Sequence, residues 1–164
     1  MKILFPIGIM ILLAACAPAI SQESLKGADP EIPFQGLIKD PERYQGKVIV
    51  VGGQIVTTSV REGESWVEIL QHPLDSQRKP QDTDVSYGRF LVRFEGFIDP
   101  AIYAAGKKIT VVGEVQGKKV LPLGQMEYSY PVLQPREHHL WSPDPPYGGP
   151  TFHIGIGIGV GGVR

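Results

Sequence analysis

Residues 40–55 and 99–115 are written in the same pattern, and few folds accommodate it twice. The first copy begins Asp40-Pro41, reaches Tyr44 and Gly46-Lys47, and runs on through Val48, Ile49, Val50 and Val51 to Gly52-Gly53. The second begins Asp99-Pro100, reaches Tyr103 and Gly106-Lys107, and runs on through Ile109, Thr110, Val111 and Val112 to Gly113. Asp is a strong N-cap, and Pro fits the first helical position because its missing N–H would be unpaired there anyway. A turn of helix should follow, closed by Gly46 or Gly106 in the left-handed region. A strand comes next, with Ile49, Val51, Gly53 and Ile55 on one face, and Ile109, Val111, Gly113 and Val115 on one face of its counterpart. Glycine within a strand marks a bulge, a bend or a close backbone approach. Two long bent strands, each introduced by a capped turn, predict a small curled barrel. They describe a scaffold; sites more often sit on the loops between such elements.

The rest of the chain supplies the remaining strands. Residues 47–61 form the first, Glu62-Gly63-Glu64 a hairpin turn, and residues 65–71 the second, with Trp66, Glu68 and Leu70 opposite Val67 and Ile69. Residues 76–87 are polar and read as a loop, and residues 88–94 form the third strand, with Phe90, Val92 and Phe94 sharing a face. The fourth ends at Val115, before a tight turn at Gln116-Gly117-Lys118. Residues 120–123 form a short strand, and a last one spans residues 125–133, before Pro135. Residues 34–38 read either as a short strand or as the approach to the first capped turn. Fifteen Pro and twenty Gly in 164 residues favour turns and short strands over helices. The expected class is therefore mainly β, a small OB-like barrel of five to six strands with short helical turns. The helical segment between the third and fourth strands favours it over a sandwich.

The N-terminus has the layout of an export signal: Met1-Lys2, an apolar run over residues 3–13, then Ala14-Ala15. It is too short to span a bilayer as a helix. Leu13-Ala14-Ala15-Cys16 resembles a bacterial lipobox; the alternative is an ordinary secretory signal followed by a chance cysteine. The resemblance implies a thioether-linked diacylglyceryl group on Cys16, cleavage before it and acylation of the new amine. Three acyl chains exceed what stable anchoring needs. Ala17 stands where Asp would resemble an inner-membrane retention signal, which favours the outer membrane. Cys16 is the only cysteine, so no disulfide is available to the exported chain. Four segments follow: a lipoprotein signal at 1–15, a lipidated tether at 16–33, the barrel at 34–141 and a Pro/Gly-rich tail at 142–164. Within the tail, residues 152–162 alternate Gly with apolar residues; they fit a disordered tail, an added edge strand, or self-pairing or membrane contact.

Several constellations invite chemistry. A formal net charge of −1 leaves no basic field for nucleic acid, and no Gly-rich phosphate loop occurs. His138 and His139, adjacent on a strand, point to opposite faces and do not chelate one ion together; both are expected at the surface. His72 near Asp75-Ser76 lacks a nucleophile elbow and a third partner. Trp66, Tyr87, Phe90 and Phe94 are better explained by core packing than by a base-stacking platform. Asp75, Arg78 and Lys79 lie in the polar loop: Asp75 has a ready role in hydrogen-bonding local backbone, and the three together form a candidate binding lip. No catalytic residue, metal site or cofactor is predicted.

Glu68 to Ser76 with its Pro73-Leu74-Asp75 break, Gly88-Arg89-Phe90, Gly96-Phe97-Ile98-Asp99-Pro100, residues 106–113 and His139-Leu140-Trp141 follow one another in an order similar to the starvation-inducible outer-membrane lipoprotein (Slp) family. The resemblance covers about residues 10–141. It implies an outer-membrane lipoprotein associated with starvation and acid or envelope stress, and of its site residues only Cys16 transfers, as the lipid attachment point. Three functions compete: a non-catalytic, periplasm-facing lipoprotein whose barrel contacts another envelope protein or helps stabilise the outer membrane, a module for glycan, peptidoglycan fragment or lipid, and, weakest, a hydrolase.

Overall fold

The computed structural model describes residues 18–143. In chain order they form α1 (Gln22–Lys26), α2 (Phe34–Lys39), a 3-10 turn (Glu42–Tyr44), β1 (Val48–Arg61), β2 (Glu64–Gln71), β3 (Arg89–Glu95), β4 (Lys108–Leu123) and β5 (Met126–Leu140). The strands close into a barrel in the order β1-β2-β3-β5-β4, with β3 and β5 parallel and the other pairs antiparallel. This is the mainly β, OB-like barrel expected, with five strands.

The two copies of the repeated pattern are each other's partners. Val51 pairs with Val111, its counterpart in the other copy. Gly46 N–H donates to the Val115 carbonyl and Gly106 N–H to the Ile55 carbonyl; Val115 N–H returns to Lys47 and Ile55 N–H to Lys107. The copies thus pair antiparallel about a local two-fold at Val51 and Val111. Each capped turn lies beside the far end of the other copy's strand. The Asp caps form as the sequence predicts: Asp40 accepts from Arg43 N–H at 3.3 Å and Asp99 from Ala101 N–H at 2.8 Å. Both glycines adopt positive φ, +79° and +88°.

Alternation determines the core. Ile49, Val51 and Ile55 of β1 face inward with Val67, Ile69, Phe90, Val92, Phe94, Ile109, Val111, Val115 and Leu133. Helix α2 plugs one opening. Its Phe34 and Leu37 join this core, Phe34 edge-on to Phe90 at 5.6 Å between ring centroids. Burying each such side chain contributes about 1.5–3 kcal/mol. Residues 34–38 are therefore helical rather than a strand. The segment between β3 and β4 shrinks to one turn at Asp99, whose carbonyl accepts from Ile102 and Tyr103 N–H.

Three further expectations are corrected. Strand β4 does not reverse at Gly117; its register shifts between Val115 and Gly117, and the chain turns at Gly124 to form a long β4–β5 hairpin. Residues 120–123 belong to β4. Strand β5 passes Pro131 and Pro135 to reach Leu140. Pro135 sits at a register shift opposite Gly113, and Pro131 lies before the short parallel contact with β3 at Val132 and Leu133, where a missing N–H breaks no second ladder.

Residues 20–29, read from sequence as tether, lie against the outside of β1, β4 and β5. Ile20, 2% exposed, packs on Val48 and Val112. Ser21 donates to the Glu137 carboxylate from its backbone N at 2.9 Å and its Oγ at 2.6 Å. Ala28 bridges Val48, and Asp29 N–H donates to the Val48 carbonyl at 2.8 Å. Cys16 and residues 144–164, the Gly-rich segment among them, lie outside the described residues.

Candidate functional site

The lip of Asp75, Arg78 and Lys79 lies in the loop joining β2 to β3. Asp75 Oδ1 accepts from Gln77 N–H at 2.8 Å and Lys79 N–H at 2.9 Å, and the Asp75 carbonyl accepts from Arg78 N–H at 2.9 Å. Its exposed carboxylate thus holds the turn, as the Asx chemistry of the sequence anticipates. Arg78, with φ +63°, closes that turn and accepts through its carbonyl from Thr110 Oγ1 at 2.6 Å. The Thr110 hydroxyl in turn accepts from Trp141 Nε1 at 3.0 Å, and Lys79 Nζ stands 5.9 Å from the Trp141 ring centroid. The lip is therefore fastened to the outer face of β4, with Trp141 beside it.

On the other side of the same loop, a shallow groove of about 410 Å³ runs between α2 and the bend of β1. Phe34, Val51, Gln71, His72, Leu74 and Tyr87 are among its lining. Gln71 Oε1 accepts from Tyr87 N–H, and His72 Nδ1 lies 3.1 Å from the Gln81 carbonyl oxygen, so both polar groups serve the loop's own structure. His72 and Asp75 have separate partners and do not form a charge-relay pair.

The histidine pair departs from the surface reading. The two rings do point to opposite faces, but His138 turns inward against Phe94 and Tyr103, with Tyr103 Oη and His138 Nε2 2.6 Å apart. Burial lowers the His138 pKa from its ordinary value, the largest influence on it, and raises that of Tyr103. The neutral imidazole accepts naturally from the phenol. His139 faces outward, edge-on to Trp141 at 4.6 Å; His153 lies outside the described residues. Among those residues, no cluster of three or more His, Cys, Asp or Glu is arranged to hold a metal ion.

The four aromatics divide. Phe90 and Phe94 are core, Trp66 packs on the outer face of β2, and Tyr87 is exposed. One polar cluster had no sequence signal: Glu68 Oε1 accepts from Arg89 Nη1 at 2.7 Å and Tyr130 Oη at 3.3 Å. The bond to Glu68 raises the Arg89 pKa, and burial, then Glu68, raises that of Tyr130. These residues come from three strands, and only the barrel brings them together. Tyr103 did carry a signal, since it occupies the place in the second repeat that Tyr44 occupies in the first.

At the end of the barrel where β1 meets β2, Phe97 is 71% exposed, Ile102 53% and Val60 43%. Gly96 N–H to the Gly63 carbonyl and Thr58 Oγ1 to the Tyr103 carbonyl tie the segment that carries Phe97 and Ile102 to the β1–β2 end, where Arg61, Glu62, Glu95 and Asp99 are exposed beside them.

Comparison with known proteins places the chain in a family. The chain is 30% identical to the uncharacterized lipoprotein YeaY of Escherichia coli (strain K12) over 134 residues, 80% of this chain and 67% of that protein. It is 29% identical to the outer membrane protein Slp of the same organism over 138 residues, 82% of this chain and 72% of that protein. An uncharacterized protein of Haemophilus influenzae (strain ATCC 51907 / DSM 11121 / KW20 / Rd) is 35% identical over 106 residues, 64% of this chain and 57% of that one. No solved structure matches. The pattern of the family described as "Outer membrane lipoprotein Slp family" matches residues 13–154, reaching further toward the C-terminus than the resemblance read from sequence. The chain belongs to the outer membrane lipoprotein Slp family.

Proposed function

We propose that this protein is anchored in the outer membrane through acylated Cys16, faces the periplasm, and serves envelope maintenance or stress survival by contacting another envelope protein, without catalysis. Family membership supports the membrane; the exposed tip of Val60, Phe97 and Ile102 is the observation that carries the protein contact. Exposed large apolar side chains at one end of the barrel suit contact with a protein partner. The chemistry elsewhere supports the same reading, since Asp75 and His72 are engaged with their own loop.

A photo-crosslinking residue in place of Phe97, in the full lipoprotein within its own envelope, tests this. The expected outcome is a discrete protein adduct that Ile102→Asp abolishes; adducts confined to lipid or glycan would contradict it. The second reading, a module for glycan, peptidoglycan fragment or lipid, rests on the groove beside Tyr87, and chemical-shift changes at Tyr87 on adding muropeptides would favour it.

A further inference from the structure

We propose that the side of the barrel on which residues 20–29 and the Arg78–Trp141 contact cover Thr110 and Val112 lies against a phospholipid leaflet, so that the barrel has a fixed membrane side. The inference rests on the lipid attachment at Cys16 proposed above and adds to it an orientation. Only Ala17, Pro18 and Ala19 separate Cys16 from Ile20, and Ile20 is buried on Val48 and Val112. Four residue steps reach at most about 14 Å even fully extended. A lipid on Cys16 therefore brings this face to the headgroups, where a free tether of eighteen residues (16–33) would have let the barrel turn at will.

The chemistry of the face suits that position. Thr110 lies two residues from Val112 along β4, about 7 Å, and it holds both the Arg78 turn and Trp141. Tryptophan favours the membrane interface, with an apolar body and a polar N–H. No hydrogen bond or ion pair engages the Arg78 guanidinium among the described residues. On the other flank, Lys26, Lys47 and Arg136 line a hollow beside the end of α1. Nearby carboxylates are engaged: Glu23 with Lys26, Glu114 with Arg136 and Glu137 with Ser21. Lys26 and Arg136 are thereby paired and Asp29 shares the hollow, so Lys47 at this edge and Arg78 at the other are the cations placed to meet the phosphates of a phospholipid surface.

The two tryptophans make the test direct. Trp66 lies on the outer face of β2, which the barrel order separates from β4 by β1 on one side and by β3 and β5 on the other. Lipidated protein carrying Trp66→Phe or Trp141→Phe is placed in vesicles of phosphatidylethanolamine with some phosphatidylglycerol, brominated on their acyl chains. The mass of the Cys16 peptide is measured on the same samples. The expected result is loss of Trp141 emission and retention of Trp66 emission. Wild-type protein in vesicles bearing a diazirine phospholipid gives a variant-free check, with adducts expected at residues 76–79 and 136–143 and not at 64–71. Acylated protein in which neither tryptophan is quenched, or both are quenched alike, overturns the orientation. A Cys16 peptide without acyl chains overturns the anchor itself, and the orientation with it.

Discussion

At Gly53 the backbone of β1 passes so close to β2 that a Cβ would collide with the Leu70 carbonyl, and at neighbouring Gly52 a Cβ would stand 2.6 Å from the Ile109 carbonyl oxygen. These two residues let one strand leave β4 and join β2. We expect Gly53→Ala to cost on the order of 3 kcal/mol or to prevent folding. Gly46→Ala, where positive φ is the only obstacle and no atom lies within 4 Å, should cost about 1–2 kcal/mol. Urea unfolding of the two variants checks the contrast. His138 makes stability depend on pH. Burial holds its pKa below the ordinary value, so on acidification the unfolded chain takes up a proton before the folded one does. Stability is full above about pH 6.5 and declines as pH falls through that value toward the lower folded pKa. In His138→Gln this decline should vanish from unfolding curves measured across the range. Glu137 acts at lower pH. Its bond to Ser21 holds the carboxyl below its ordinary range, so the N-terminal segment stays fastened until pH falls through that lowered value.

Among the elements, the strands were the readable part of the sequence. Val67, Ile69, Phe90, Val92 and Phe94 alternate with outward residues and lie where the two-residue period puts them. Local signals failed where distant contacts decide. Gln116-Gly117-Lys118 has the composition of a turn, yet pairing with residues 131–133 carries β4 straight through it. Residues 17–31 look like linker because their two large apolar residues, Ile20 and Leu25, stand five apart and show neither helical nor strand periodicity, and Glu137, which fastens Ser21, is 116 positions away. The consequence is testable: Ile20→Ala should cost about 2 kcal/mol, at the low end for a buried isoleucine because the site is near the chain's start. Hydrogen exchange should then quicken at Asp29 N–H, which the native chain bonds to Val48. Unchanged stability and exchange would mean that the segment contributes nothing to the fold.

For the molecule as a whole, the repeated pattern said more than its strands did. It predicted two bent strands with capped turns, and the barrel pairs them with each other about Val51 and Val111. The candidate site was only partly readable. Asp75 holds its turn as its residue type predicts, but the attachment of that turn to Thr110 and Trp141 required three distant segments to meet. In the proposed arrangement a lipid on Cys16 holds the barrel to the outer membrane, with Ile20 limiting its freedom. The most direct measurement is the mass of the N-terminal peptide from protein extracted from the outer membrane. We predict a chain beginning at Cys16 and carrying a diacylglyceryl thioether and an N-acyl group. A mature chain beginning at another residue, or Cys16 free of acyl groups, would contradict the account.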